Sequence, residues 1–154
     1  MTPQLEAQAR DLLTKIAPYN RQILSMASTY GMDADLIRAV IWTESSGNPN
    51  AIGDNGQSFG LMQVGFAAAQ DVGYRSIASG DLLDPDKNIE IGTAYLYILR
   101  EHYGLSLSEV LAAYNWGIGN VLQAKKKGKA FPTVVQNYVA TVIMYTDALR
   151  AVRA

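Results

Sequence analysis

Apolar residues recur at three- and four-residue steps through nearly the whole chain, and the pattern breaks once, between residues 47 and 60. That combination confines the fold to a set of amphipathic helices with one non-helical excursion. Leu5, Ala9, Leu12, Leu13 and Ile16 make a first stripe, with Pro18 expected to end it. Ile23, Leu24, Ala27 and Tyr30 make a second, stopped at Gly31. Asp33 is placed to cap a third helix carrying Leu36, Ile37, Val40 and Ile41, with Gly47 and Pro49 expected to close it. The break itself holds four glycines together with Pro49 and three asparagines, which predicts an ordered turn or small hairpin. "FGLMQV" reads as a strand-like piece, and a short helix is expected over Phe66–Val72. Asp84 and Pro85 open the clearest helix, with Ile89, Gly92, Leu96 and Leu99 on one side and Gly104 as stop. A shorter helix runs from Leu107 to Tyr114, with Gly117 and Gly119 opening a turn, and a last one runs from Pro132 to the C-terminus.

The expected fold class is mainly α, of α+β type, with a small glycine-rich or β-hairpin insertion. A length of 154 residues suits one domain with a sizeable core. The division expected is residues 1–32 as N-terminal helices and 33–154 as the functional core. Hydrophobic residues at 49% and charged residues at 18% belong to an ordered globular chain. Lys and Arg number 13 against 14 Asp and Glu, so net charge gives no case for nucleic acid as partner. The absence of cysteine removes disulfides, thiol nucleophiles and zinc–thiolate sites. No apolar stretch reaches the roughly 18 residues needed to span a bilayer, so no membrane insertion is expected. The N-terminus shows no basic start, long apolar run or small-residue cleavage site, so no signal peptide is read.

Glu44 stands out against this background. It lies seven, four and three residues after Ile37, Val40 and Ile41, and so shares their apolar face. Burial there would favour the protonated carboxyl and make a general acid that works near neutral pH. The plainer reading is a helix-terminal glutamate that snorkels to solvent. Gln63, in "FGLMQV", offers an amide donor and acceptor suited to sugar hydroxyls and N-acetyl groups, or is a satisfied strand glutamine. Tyr114, in "AAYNWGIGNV", offers a stacking face and a hydroxyl, or is simply core. The lysines of "AKKKGKA", 124–130, read as a solvated loop, with docking on an anionic surface as the alternative.

"ESSGNPNA", "GLMQV", "DPDKNIEIGTAYL", "AYNWGIGNV" and "NYVATVIMY" follow one another in an order and spacing that resembles the soluble, lysozyme-like lytic transglycosylases. The resemblance extends over most of the chain. It implies an enzyme that cuts the bond between N-acetylmuramic acid and N-acetylglucosamine in peptidoglycan, with Glu44 as the acid and then the base. It implies substrate-binding roles for Ser45, for Gly60, Leu61, Met62 and Gln63 along the glycan groove, and for Tyr114, Asn115 and Tyr138. The family needs no metal or organic cofactor, and a monomer is expected. The stretch "GDNGQSFGLMQV" is also similar to goose-type lysozymes, which hydrolyse the same bond with inversion. On that resemblance Asp54 matches the first of two aspartates, and Gly65 stands where the second would be. Asp54 is then a possible second catalytic carboxylate, or a turn aspartate bonded to its own backbone. A catalytically inactive glycan-binding module is the reading of a different class. A wall cutter with no visible export signal points to synthesis in the cytoplasm and delivery by a phage or a secretion apparatus.

Overall fold

The computed structural model describes residues 1–153. Helix α1 (Pro3–Ile16) is capped by the Thr2 hydroxyl, which accepts from the Leu5 amide at 3.1 Å. Pro18 does not separate it cleanly from α2 (Asn20–Tyr30). Instead Ala17–Tyr19 form a single 3₁₀ turn, whose first positions tolerate a residue without an N–H. Leu24 is 54% exposed and falls outside the stripe that its spacing suggested, whereas Ile23 and Ala27 are buried. Gly31 ends α2 in the left-handed region, at φ 60°.

Asp33 caps α3 (Ala34–Ser45), accepting from the Asp35 amide at 2.9 Å. The helix stops one residue earlier than Gly47 would place it, with Ser46 in the left-handed conformation. The excursion is a hairpin of β1 (Ile52–Gly53) and β2 (Ser58–Phe59), antiparallel, with Ile52 opposite Phe59 and Gly53 opposite Ser58. Only the first residue of "FGLMQV" is strand. Gly60–Gln63 form a tight turn closed by mutual hydrogen bonds between Phe59 and Val64. Gly60 sits at φ 75° and Gln63 at φ 49°.

Five helices follow before the last. They are α4 (Phe66–Asp71), α5 (Ser79–Leu83), α6 (Pro85–Glu101), α7 (Leu107–Trp116) and α8 (Ile118–Lys127). The chain ends in α9 (Thr133–Arg153). Two of these, α5 and α8, carry too few periodic apolar residues to announce themselves. Gly119 lies inside α8, and Lys125–Lys127 form its last turn, so the lysine run begins on a helix and not in a loop. There the lysines complement the negative end of the helix dipole. Gly128 caps α8 at φ 64°.

Leu36, Ile37, Val40 and Ile41 of α3 are buried, and α3 packs along α9, which also packs against α7 and α1. Helix α6 takes α2 on one side and α7 on another, with Ile89, Ile91, Leu96 and Leu99 fully buried. Gly92 gives the close approach of the 60–63 turn to α6, because a side chain there would collide with Met62. The start of α3 is clamped to the end of α9 by ion pairs of Asp33 with Arg150 and Asp35 with Arg153, and Asp35 also holds Arg38 at 2.9 Å. These clamps and the α3–α9 packing fix the opposite end of α3, where Glu44 lies, against the N-terminal half of α9.

Candidate active site

Glu44 occupies the last turn of α3 and is half-buried. The Tyr138 hydroxyl, from α9, donates to Glu44 Oε2 at 2.8 Å. The Glu44 pKa is raised from 4.5 to about 7. Burial is the largest cause; the Tyr138 hydrogen bond opposes it by stabilising the carboxylate, and the charge of Asp54 adds a smaller upward push. The helical spacing that placed Glu44 beside Ile37, Val40 and Ile41 has the expected consequence: the side chain is partly withdrawn from water and its pKa is raised toward neutral.

Two more tyrosines complete this wall. Tyr114, on α7, donates its hydroxyl to the Met62 carbonyl at 2.7 Å, and its ring lies 5.8 Å from that of Tyr95. Burial and then the charge of Glu44 push both Tyr114 and Tyr138 well above the usual tyrosine pKa. Both stay protonated donors across the whole range in which Glu44 titrates. Asn115 is exposed beside Tyr114.

Other residues expected to touch substrate are used to hold the site together. Ser45 Oγ lies 2.8 Å from the Leu61 carbonyl and 3.0 Å from that of Ile41, and accepts from the Gly47 amide at 3.2 Å. It ties the end of α3 to the turn. Leu61 and Met62 are fully buried, so their side chains belong to the core and do not line a groove. The Gln63 amide nitrogen donates to the Ala51 and Gly60 carbonyls at 3.0 and 3.1 Å, which commits its donors to the hairpin. Gly60 is buried and its amide donates to Ala51.

Sequence reasoning missed Asn88. This fully buried α6 side chain accepts from the Met62 amide at 2.8 Å and donates to the Phe59 and Leu82 carbonyls, both at 2.7 Å. It bonds the turn at two points and ties it to the end of α5. The signal was present, since Asn88 lies four residues before Gly92 on the buried face of α6.

Asp54 is exposed at the hairpin tip, in the left-handed region at φ 50°, and accepts from Ser58 Oγ at 2.6 Å. That hydrogen bond is the local capping role expected of a turn aspartate, although to a side chain and not to backbone. At Gly65 an added Cβ would stand 2.8 Å from the Gln57 carbonyl, so an aspartate there requires the backbone to move. No group of three or more His, Cys, Asp or Glu side chains that could hold a metal occurs among the described residues. No helix among them is long and apolar enough to cross a membrane.

A family model described as the transglycosylase SLT domain matches residues 21–137. The chain belongs to the transglycosylase SLT domain family. This SLT chain is 37% identical over 133 residues to the membrane-bound lytic murein transglycosylase C of Edwardsiella ictaluri, covering 77% of this chain and 37% of that protein. It is 36% identical over 129 residues to the protein of the same name from Photorhabdus laumondii, covering 75% and 36%. Among solved structures, the 70 kDa soluble lytic transglycosylase of Escherichia coli superposes with a TM-score of 0.74 at 27% identity, over 86% of this chain and 24% of that one. The complex of the 70 kDa soluble lytic transglycosylase with bulgecin A gives 0.75 at 26% identity, with the same coverage. The SLT chain thus spans just over a third of those curated relatives and about a quarter of those solved chains. The mainly helical architecture with a two-stranded sheet is the lysozyme-like fold of the SLT enzymes.

Proposed function

We propose that this SLT chain cleaves the β-1,4 bond between N-acetylmuramic acid and N-acetylglucosamine in peptidoglycan, as a lytic transglycosylase acting in the cell envelope. The observation that carries the reading is Glu44: a half-buried carboxyl, protonated near neutral pH, and hydrogen-bonded to a tyrosine from another helix. Its relatives' names, lytic murein transglycosylase, support the same reaction.

In this reading Glu44 gives its proton to the bridging oxygen as the C1–O bond breaks. The N-acetyl group of the muramic acid supports the cationic C1, as in substrate-assisted glycosidases. The Glu44 carboxylate, held by the Tyr138 hydroxyl, then takes the proton from the 6-hydroxyl of the same sugar, whose oxygen closes on C1. The products are a 1,6-anhydromuramoyl end and a free 4-hydroxyl, with no water consumed. Tyr114 holds the turn beside Glu44, and Asn115 faces the substrate. Residues 1–154 act as one catalytic unit and as a monomer, since one chain carries every group the reaction uses.

The second reading, an inverting goose-type hydrolase, takes its support from the charge of Asp54, which is felt at Glu44. It requires a water held between carboxyls roughly 6.5–9.5 Å apart. Asp54 already accepts from Ser58, and Gly65 leaves the second aspartate missing. Mass spectrometry of products from purified peptidoglycan separates the two. Anhydro ends are expected; reducing ends, heavier by one water, would overturn the transglycosylase reading in favour of hydrolysis. Binding to sacculi without release of soluble muropeptides would instead identify an inactive module.

A further inference from the structure

A cavity of about 290 Å³ opens beside the start of α3, at the opposite end of that helix from Glu44. Its apolar wall is made by Met32, Leu36, Leu105, Leu107, Val110 and Ile143. Leu36 belongs to α3, Leu107 and Val110 to α7, and Ile143 to α9, the three helices that also carry Glu44, Tyr114 and Tyr138. Leu36, Val110 and Ile143 lie about 12, 6 and 7.5 Å along their helix axes from Glu44, Tyr114 and Tyr138 respectively. The cavity is therefore a wedge between the helices that assemble the Glu44 site, set at their other end. An apolar cavity of about 150 Å³ admits one benzene ring, so this one has room for a body of about two rings.

The mouth of the cavity carries Asp33, Arg100, Asp147 and Arg150. A guanidinium has five N–H donors. Arg100 spends three of them, on Glu101 at 2.9 Å and on the Gly31 and Tyr30 carbonyls at 3.0 and 3.3 Å, which leaves two. Among the described residues Arg150 spends one, on Asp33, which leaves four. Its neighbour Asp147 stands 3.7 Å away, beyond hydrogen-bond reach, and is mostly exposed, so that ion pair is weak. Spare guanidinium donors above an apolar wall are a set that recognises an apolar molecule with one carboxylate.

We propose that this cavity is an effector site for a compact apolar molecule bearing one carboxylate, with its rings on Leu36, Val110 and Ile143 and its carboxylate against Arg100 and Arg150. The ligand carboxylate takes the place of Asp147 beside Arg150 and leaves the pair of Arg150 with Asp33 intact. The site goes beyond the reaction assigned to Glu44, and its binding does not depend on that assignment. Its influence on Glu44 follows from linkage. Filling the wedge alters the Glu44–Tyr138 pair by as much as the ligand favours one spacing of α3 and α9 over another.

The probe is naphthalene-2-acetate, with the neutral naphthalene-2-acetamide as control, titrated into the full chain while the methyl resonances of Leu36, Val110 and Ile143 are followed. Saturable shifts are expected with both, the carboxylate binding about ten-fold tighter and losing that advantage as salt rises. Asp147→Asn, an exposed change, removes the competing anion. It should tighten the carboxylate about two- to three-fold and leave the amide unchanged. Leu107→Trp places a bulky ring at the half-exposed rim and should block both probes. Equal affinity for the two probes, or wild-type binding by Leu107→Trp, overturns the site.

The effector role is read from the ¹³C resonance of the Glu44 carboxyl and from release of soluble muropeptides. Both should change with the midpoint of the methyl shifts and stay constant in Leu107→Trp. Binding that leaves the Glu44 resonance unmoved overturns the effector role. A chain that binds the probe and moves that resonance, yet releases no muropeptides, refutes the catalytic reading and upholds this one. A dimer in light scattering that the probe dissociates gives the cavity to a second copy of the chain and overturns the proposal.

Discussion

The Tyr138 hydroxyl donates to Glu44 Oε2 at 2.8 Å across 94 residues of sequence, and it works against the burial that raises the Glu44 pKa. A hydrogen bond to the carboxylate stabilises the charged form, which the second half of the proposed reaction needs as a base. Tyr138→Phe should raise the Glu44 pKa further above about 7 and move the alkaline limb of the pH–rate profile upward. The same change frees the carboxyl to rotate, so kcat is expected to fall by about ten-fold. Steady-state rates from pH 5 to 9 check both effects. A drop in rate with an unmoved limb would assign Tyr138 a packing role only.

Glu44→Gln should abolish cleavage and leave a stability signature. Folded Glu44 keeps its proton up to about pH 7, while the unfolded side chain releases it near 4.5. Between those values the native state binds more protons than the unfolded state, so the Glu44 contribution to stability falls as pH rises through the window. At about 1.36 kcal/mol per unit the full penalty is about 3 kcal/mol, and partial exposure of the side chain reduces it to about 1–2. The Gln variant carries no such penalty. It should match the wild type at pH 4 and exceed it by about 1–2 kcal/mol at pH 8 in urea unfolding. Parallel behaviour at both pH values would mean that Glu44 has an ordinary carboxylate pKa.

Asp54 decides between a one-carboxylate and a two-carboxylate reaction. Its charge pushes the Glu44 pKa upward, so Asp54→Asn should lower that pKa and shift the alkaline limb of the rate profile down. Lytic activity should stay within about three-fold of the wild type, with anhydro ends as product, because the proposed mechanism assigns Asp54 no proton and no water. A loss of two orders of magnitude or more, the usual cost of removing a general base, would favour the hydrolase.

What the sequence revealed followed the physics of each residue. Glu44 was legible because helical periodicity alone puts it beside Ile37, Val40 and Ile41. Asp33, Gly31 and Asp84 were legible as caps and stops because capping is local chemistry. Tyr138 was reached only through the family resemblance, since no local rule links it to a glutamate so far back in the chain. The resemblance also assigned Ser45 and Gln63 to substrate, whereas their hydrogen bonds go to the Leu61, Ala51 and Gly60 carbonyls. A sequence shows that a side chain can donate, but the acceptor is set by tertiary packing. Helix α8 was missed because Ile118–Lys127 begins beside two glycines and ends in three lysines, leaving too little apolar periodicity.

Asn88 and Gly60 form one unit, and their variants should show it. Asn88→Ala leaves the buried Met62 amide and the Leu82 carbonyl without their Asn88 partner, while the Phe59 carbonyl keeps the Val64 amide. Unsatisfied groups of this kind cost about 1–3 kcal/mol each, and partial relaxation sets the expected total near 3–4 kcal/mol. At about 2–4 °C per kcal/mol for a chain of this size, Tm should drop by roughly 10 °C. Gly60→Ala is destabilising for two reasons: φ is 75°, and the new Cβ collides with the Asn88 amide while standing 3.0 Å from the Leu82 carbonyl. Shortening Asn88 removes the first collision. The double variant should therefore be less destabilised than the sum of the single changes, by about 1 kcal/mol or more in a denaturation cycle. Strict additivity would mean that the backbone strain at Gly60, and not its contact with Asn88, accounts for the glycine.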